Sequence, residues 1–539
     1  MRRALRAASV FGMRFTAAGV AALLDTGDGS RLEQVAFALR AAEDAQLVAC
    51  DDDAGTPGER SFGFAHACVQ EAAYASLPDA DRRAAHRAAG RWLAAQGGTD
   101  ASVLAWHFER AGESQEAVGF YRRAARAALA GRDVERAARL CEKALACAPE
   151  GEDVAALWLL RAEAAFMRGE IADGKDSAVR ALELAQPGSL TWVRAAGLRI
   201  TSAGQRGDNA EVAAVAEQVR AQAAEPDAAG PRAASLARAA LQLCAAGQRD
   251  AARTLGAEAE QGAGAQEPDA RAWLGRLRGH FHLLDHDYER AIDTFGEVIA
   301  DHTAAGDVRS ACQARIHRAS LRVFAADFDA ALGDLDVADA MARRTGADYF
   351  VAWAGYARGK VLVHTADPEA VRAHFDTVRR ALAANPRIIA GIHVHLALAA
   401  LRAGDAARAE SDALAALAAH DVAGVRAPAL GALAIARVRL GRVDDAREAA
   451  RDSAAALRSV GSLEENEAVV HLAQVEAALA AGDEDEAREA ARAASARLVS
   501  IARRLATPVR RERFLHAVEV HARTLRLAHR LEVAPARDD

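Results

Sequence analysis

The chain has 539 residues and a net charge of −7; 51% of it is hydrophobic, only 5% aromatic and 27% charged. That length is too great for one compact core, and an alanine-rich, strand-poor composition favours helical units that bury small side chains against their neighbours. The mild acidity gives no reason to expect nucleic acid or a membrane surface as partner, and no apolar run reaches the roughly 18 residues a membrane helix needs.

At the N-terminus, MRRALRAASVFGMRFTAAGVAALL has the outline of a signal peptide, but Arg14 interrupts its apolar core and Asp25 and Asp28 follow without a clean cleavage site. Cys50, Cys68, Cys141, Cys147, Cys244 and Cys312 form no CxxC pair. They read as small thiols of a reducing cytoplasm, which is the expected location. Helices are predicted over 2–10, 16–24 and 31–44, strands over 47–51 and 60–64 with a turn in DDAGTPGE between them, and a further helix from Ala65. Three helices and a hairpin predict a winged-helix domain over 1–95, followed by junction helices over 96–150.

From 151 to 505 the signal is periodic. Turn-like breaks fall near Gly169, Gly207, Gly247, His286, Ala326, Asp367, Gly404, Gly441 and Gly482, spaced 37 to 41 residues apart. Each break separates two apolar-periodic segments of about 15 residues, long enough for four helical turns. After it comes an acidic or polar residue and then alanine, as in GQRDAARTLG, HDYERAIDTF and GDEDEAREAA. Glycine suits the left-handed residue that closes one helix, and the acid caps the next. Trp158, Trp192, Trp273 and Trp353 fall early in first helices, where a large ring fills the gap between units. Two helices per period resemble a divergent, slightly long tetratricopeptide repeat. The expected fold is therefore an all-α, right-handed tetratricopeptide-like α-solenoid of about nine helix pairs, with a small N-terminal winged-helix domain and a C-terminal capping helix and tail over 506–539.

Two further segments carry a more specific likeness. FAHACVQEAAYASLPDADRRAAHRAAGRWL (64–93) and LAWHFERAGESQEAVGFYRRAARAA (104–128) resemble the junction in STAND-class (AAA-type) bacterial signalling ATPases and kinases, where a nucleotide-binding module is followed by a winged helix and then helical repeats. Phe64, His66, Tyr74 and His86 match the first part of that junction, and His107 and Phe108 match the repeat helix after it. The ending 507–531 resembles the closing helix of such arrays. The family's nucleotide-binding module would precede residue 1 and is not in this sequence. The chain therefore reads as a stand-alone arm, half of a split gene or a truncated reading frame.

Chemical motifs are few. GEIADGKD (169–176) fits the glycine–lysine spacing of a P-loop but places Asp176 where magnesium needs Ser or Thr, and it sits in an inter-helix turn. LVACDDD (47–53) reads as the first strand of the wing rather than a nucleotide site. His280, His282 and His286 cluster with Asp285 and Asp287, yet the segment is one more helix end in register with the repeat. His393 and His395 stand two apart and face different ways. Carboxylates at the unit turns read as caps and solvated faces. No catalytic, cofactor-binding or metal residue is expected, and no enzyme activity.

The C-terminal stretch 497–530 holds nine Arg against Glu512 and Glu519. It reads first as a capping helix with Thr507 as N-cap and Pro508 after it. Secondly it offers Arg503, Arg504, Arg510, Arg511 and Arg513 as candidate contacts for an acidic partner. Residues 1–50 hold six Arg and five acids, so no basic recognition face favours DNA. The leading reading is a cytoplasmic, non-catalytic interaction scaffold, the sensory or regulatory arm of a signalling ATPase or kinase system. It would bind a protein or peptide in its concave groove and dock on an ATPase or kinase module encoded nearby. The alternatives are a C-terminal fragment of an ATP-binding Ser/Thr kinase or STAND ATPase and, below it, a DNA-binding regulator.

Overall fold

A computed structural model describes residues 1–24, 31–51, 61–131, 133–168, 170–262, 264–304, 307–383 and 385–533, apart from the side chains of 31, 51, 171 and 205. The turn expected in 52–59 and the break at Gly169 lie outside the described residues. The chain divides into two units, Met1–Pro187 and Gly188–Asp539. The division falls inside the stretch read as repeats. The first helix pair, α9 (Glu152–Arg168) with α10 (Ile171–Leu184), packs on the helices before it and belongs to the first unit.

That unit opens with α1 (Arg2–Ser9), β1 (Arg14–Thr16), α2 (Ala17–Leu23), α3 (Arg31–Asp44), β2 (Val48–Asp51) and β3 (Ser61–Phe64). The sheet is antiparallel in the order β1-β3-β2, with Phe15 opposite Phe62 and Val48 opposite Phe64. Those four side chains are buried against Leu5, Val20 and Leu39. β1 was not expected: three residues are too few to show a period of two, and the strand exists only because β3 pairs with it. The unit continues through α4 (Ala67–Ala75), α5 (Asp79–Gln96), α6 (Ala101–Ala111), α7 (Ser114–Ala130) and α8 (Val134–Ala146) to α9 and α10.

The second unit stacks eight helix pairs. They are α11 (Leu190–Gln205) with α12 (Asn209–Ala221), α13 (Ala229–Ala245) with α14 (Arg249–Gln261), α15 (Pro268–Leu284) with α16 (Tyr288–Ala304), and α17 (Val308–Phe324) with α18 (Phe328–Arg344). Then come α19 (Asp348–Thr365) with α20 (Pro368–Ala381), α21 (Pro386–Ala403) with α22 (Ala406–Ala419), α23 (Ala423–Arg439) with α24 (Val443–Val460), and α25 (Glu467–Ala480) with α26 (Glu484–Arg503). Two closing helices, α27 (Pro508–His516) and α28 (Glu519–Arg530), end the array, where one capping helix was expected. The fold is an all-α, tetratricopeptide-like solenoid.

The turns follow from the sequence. Gly207, Gly247, Gly404, Gly441 and Gly482 have φ between +75° and +83°, the left-handed region glycine enters without a Cβ penalty. The aspartate after each of Gly207, Gly404 and Gly482 accepts a hydrogen bond from the third backbone amide beyond it. His286 and Ala326 hold the same conformation without glycine, at +54° and +57°. At Asp367 φ is −71°: Asp367 caps α20, whose first residue is Pro368. From α17 to α25 the first helices of successive pairs pack on one another and form the inner wall of the array.

Candidate functional site

The array of the second unit returns on itself. The turn at Gly247 meets Val460, where a Cβ on Gly247 would stand 2.7 Å from the valine side chain. Ser462 Oγ donates to the Leu284 carbonyl at 2.8 Å. His286, buried between the two parts, lies 3.3 Å from the Glu467 carboxylate and 2.9 Å from the Arg497 guanidinium. Arg510 reaches both oxygens of Glu289 at 2.9 and 2.8 Å and Asp327 at 2.9 Å. Tyr288, Ile292 and Phe295 of α16 share one apolar cluster with Leu498, Ile501 and Phe514.

This seam changes the reading of the C-terminal arginines. Arg504 donates to the Asp285 carbonyl at 2.6 Å, Arg511 to the Leu505 carbonyl at 2.9 Å, and Arg513 pairs with Asp329 at 3.4 Å. With Arg510 they make contacts inside the chain, while Arg504, Arg511 and Arg513 stay exposed. Arg503 ends α26 and is exposed. Thr507 caps α27 by accepting from the Arg510 amide at 3.2 Å.

The seam borders a partly open cavity of about 130 Å³ whose lining mixes apolar side chains with cations. Phe324, Val363, Leu398 and Leu472 supply the apolar part; Lys360, Arg402 and Arg439 supply fixed positive charge. Lys360 is 7% exposed, with its ammonium 4.8 Å from the Tyr356 ring centre and 5.5 Å from that of Phe324. Aromatic faces attract a cation and hold it in place. Arg402 and Arg439 donate to the Ala366 and Leu401 carbonyls, and Glu476 and Glu519 stand near Arg439. Further along the same wall Arg276 is 8% exposed, stacked 4.2 Å from Trp273 and bonded to Gln313 at 3.0 Å, with no carboxylate paired to it among the described residues. Burial, and then the nearby charge of Arg238, push its guanidinium down to about 10.

What faces these cations is the loop between α24 and α25, residues 461–466. Glu465 lies 2.7 Å from Lys360 and 3.6 Å from His395. Glu464 lies 3.2 Å from His280 and 3.4 Å from Arg387. Burial works to raise both carboxyls, but Arg387 and then His280 hold Glu464 at about 2, and Lys360 with His395 holds Glu465 well below the ordinary carboxylate value. Burial likewise opposes ionisation of Glu467, and the hydrogen bonds from His286 and His471 overcome it. The loop is pinned by Ser462 and by Leu463, which is 2% exposed. Its turn residues Gly461 and Asn466 both have positive φ. These acids are neither caps nor part of a solvated outer face.

Two histidines near the wall, His317 and His364, are held neutral for physical reasons. Burial, then the positive charge of Arg276 and His280, push His317 well below its ordinary value. Burial, with His521 and His395 nearby, brings His364 down to about 3. The sequence cluster at 280–287 divides: His280 faces Glu464, while His286 lies in the seam. His393 turns to Asp412 at 3.4 Å, away from His395. Among the described residues no group of three or more His, Cys, Asp or Glu is placed to hold a metal.

The junction residues lie in the first unit, and most are packed there. The Tyr74 hydroxyl and His86 Nε2 are 2.9 Å apart, and His86 Nδ1 and His107 Nδ1 are 3.0 Å apart. Burial lowers His86 to about 3, with His107 adding to the effect, and lowers His107 to about 4. Phe108 stacks on Phe120 with ring centres 5.2 Å apart and abuts Gly90. Phe64 sits in the sheet core beside Phe15. His66 is exposed, precedes α4 and makes no side-chain cap, so it stays apart from the others. Tyr74, His86 and His107 thus form a packing joint between α4, α5 and α6.

Lys360, Arg387, His395 and the loop acids were not foreseen. The available signals were a lysine in a chain whose basic residues are nearly all Arg, and paired glutamates in an inter-unit loop. Neither says that the two meet across about 100 residues. No family model matches the sequence, and no curated protein matches it. By structure the chain is similar to a Rap protein solved in complex with competence and sporulation factor, with TM-score 0.47 and 13% identity, covering 64% of this chain and 98% of that one. It is similar to a signal transduction ATPase with numerous domains from Pyrococcus horikoshii that carries a tetratricopeptide-repeat sensor, with TM-score 0.46 and 13% identity, covering 77% and 62%. It is also similar to the Cut9–Hcn1 hetero-tetramer of the APC/C, with TM-score 0.41 and 11% identity, covering 84% and 93%.

Proposed function

We propose that the chain is a non-catalytic interaction scaffold whose second unit holds a protein or peptide segment against its inner wall. The observation that carries this is the composition of that wall. Cations fixed by aromatic rings and backbone carbonyls stand beside apolar side chains and face a partly open cavity. Such a surface recognises charge and apolar shape together, as a segment of chain presents them. The hydroxyls beside His286, those of Tyr288 and Ser462, are packed contacts of the seam, and the chemistry we assign to the wall is binding. The location we assign is cytoplasmic.

The first unit reads as a winged helix followed by junction helices. The order helix, strand, helix, helix, strand, strand and the three-stranded antiparallel sheet support this reading. Together with the junction motif it fits the sensory or regulatory arm of a signalling ATPase or kinase system, docking through the first unit and answering through the second. The test is affinity capture from the source cell with the full chain and with a Lys360→Glu variant. A partner held by the wild type and by surface variants in 1–187, but lost with Lys360→Glu, is the expected result. Partners that ignore Lys360 rule out the inner wall as the binding surface.

A further inference from the structure

We infer that the inner wall of the second unit is a site for an acidic peptide segment, and that the loop over residues 461–466 occupies it as an internal surrogate that the partner must displace. The inference rests on reading this wall as a segment-binding surface, and it names the chemistry of the segment.

The argument is one of charge and of attachment. Arg276 comes from α15, Lys360 from α19, Arg387 and Arg402 from α21 and Arg439 from α23, all first helices of their pairs. The loop brings Glu465 to Lys360 and Glu464 to Arg387. Arg276 and Arg402 form no ion pair among the described residues, while Glu476 and Glu519 stand near Arg439. Arg276 is a buried guanidinium without a counter-charge, which is costly, and an acidic segment longer than the loop would relieve it. The apolar side chains between the cations suit alternating apolar residues, as Leu463 beside Glu464 already illustrates.

Part of the loop's hold can be exchanged. The Glu464 side chain is 30% exposed and that of Glu465 24%, although Glu465 Oε2 itself is buried, so an incoming group reaches Glu464 first. The loop joins two helices rather than lying inside one, and both of its turn residues have positive φ, so it moves without unwinding α24 or α25. Leu463 and Ser462 are held by burial, but Glu464 and Glu465 are held by charge, and a competing carboxylate makes the same bonds as these two acids.

The test uses the full chain and two fluorescein-labelled synthetic peptides, SLEENE and its uncharged counterpart SLQQNQ. In the Glu464→Gln/Glu465→Gln variant, whose loop has lost its hold, the acidic peptide should bind about tenfold tighter than to wild type, and about tenfold tighter than the uncharged peptide, read by fluorescence anisotropy. Lys360→Gln added to that variant should abolish the preference. Arg402→Gln should weaken it at an exposed position where folding is not at stake. With wild-type protein at saturating SLEENE, hydrogen exchange over 461–466 should rise. Equal binding of both peptides overturns the inference and leaves the scaffold reading standing. Absence of binding to the loop variant overturns it, and so does binding that ignores both Lys360 and Arg402 while circular dichroism shows intact helices.

Discussion

Glu464 and Glu465 show how a residue that reads as a cap from sequence becomes a ligand when its neighbours arrive from elsewhere. An acid two or three residues after a helix end satisfies backbone amides in most units here, as Asp208, Asp405 and Asp483 do. The same residue type at 464 and 465 instead faces His280 and Arg387, and Lys360 and His395. Their pKa values lie below the ordinary 4.5, so their contribution to stability is complete above that pH and is lost as pH falls through about 2 for Glu464 and lower for Glu465. The buried histidines act in an earlier window. His364 and His521 stay neutral to about 3 and about 4, so the unfolded chain takes up protons first and stability starts to fall below 6.5. A Glu464→Gln/Glu465→Gln variant should therefore be less stable than wild type at pH 6. It should keep the fall between 6.5 and about 4 and lose part of the fall below 4.5, read from thermal unfolding at a series of pH values.

At the scale of the element, the two closing helices turn a stretch of arginines into a fastening. Helix α27 is started by Thr507 and Pro508, both readable from sequence. Its task is not readable, because Arg510 finds Glu289 and Asp327 about 200 residues earlier. Guanidinium–carboxylate pairs with partly buried partners are stronger than exposed ones. Arg510→Ala should loosen α27 by about 2 kcal/mol. Phe514, 1% exposed and 6.3 Å from the Tyr288 ring, should cost about 3 to 5 kcal/mol when replaced by alanine. Both effects are measured as faster hydrogen exchange in α27 and α28, with helices α19 to α22 unchanged.

At the scale of the whole molecule, each helix pair needs only its neighbours, so most of the second unit should survive the loss of its closure. A chain ending at Ala506 removes α27 and α28 from the cluster that covers Tyr288, Ile292 and Phe295. It should keep nearly all its helical circular dichroism yet bind an apolar dye, and its second unit should become easier to cleave near 461–466. A chain that instead lost most of its helical signal would mean that closure, rather than neighbour stacking, holds the array together.

The period of 37 to 41 residues by itself determined the helix pairs, their turns and the stacking of first helices, because each of those depends on contacts within one or two units. The order of elements over 1–64 was also readable except for β1, whose three residues are a strand only beside β3. Tertiary structure alone decided that the array closes. The small rotation between pairs adds up over several units, and no single repeat encodes the sum. Closure then decided what the loop acids, Lys360 and the C-terminal arginines do, because their partners lie about 70 to 220 residues away, well beyond the reach of any local pattern.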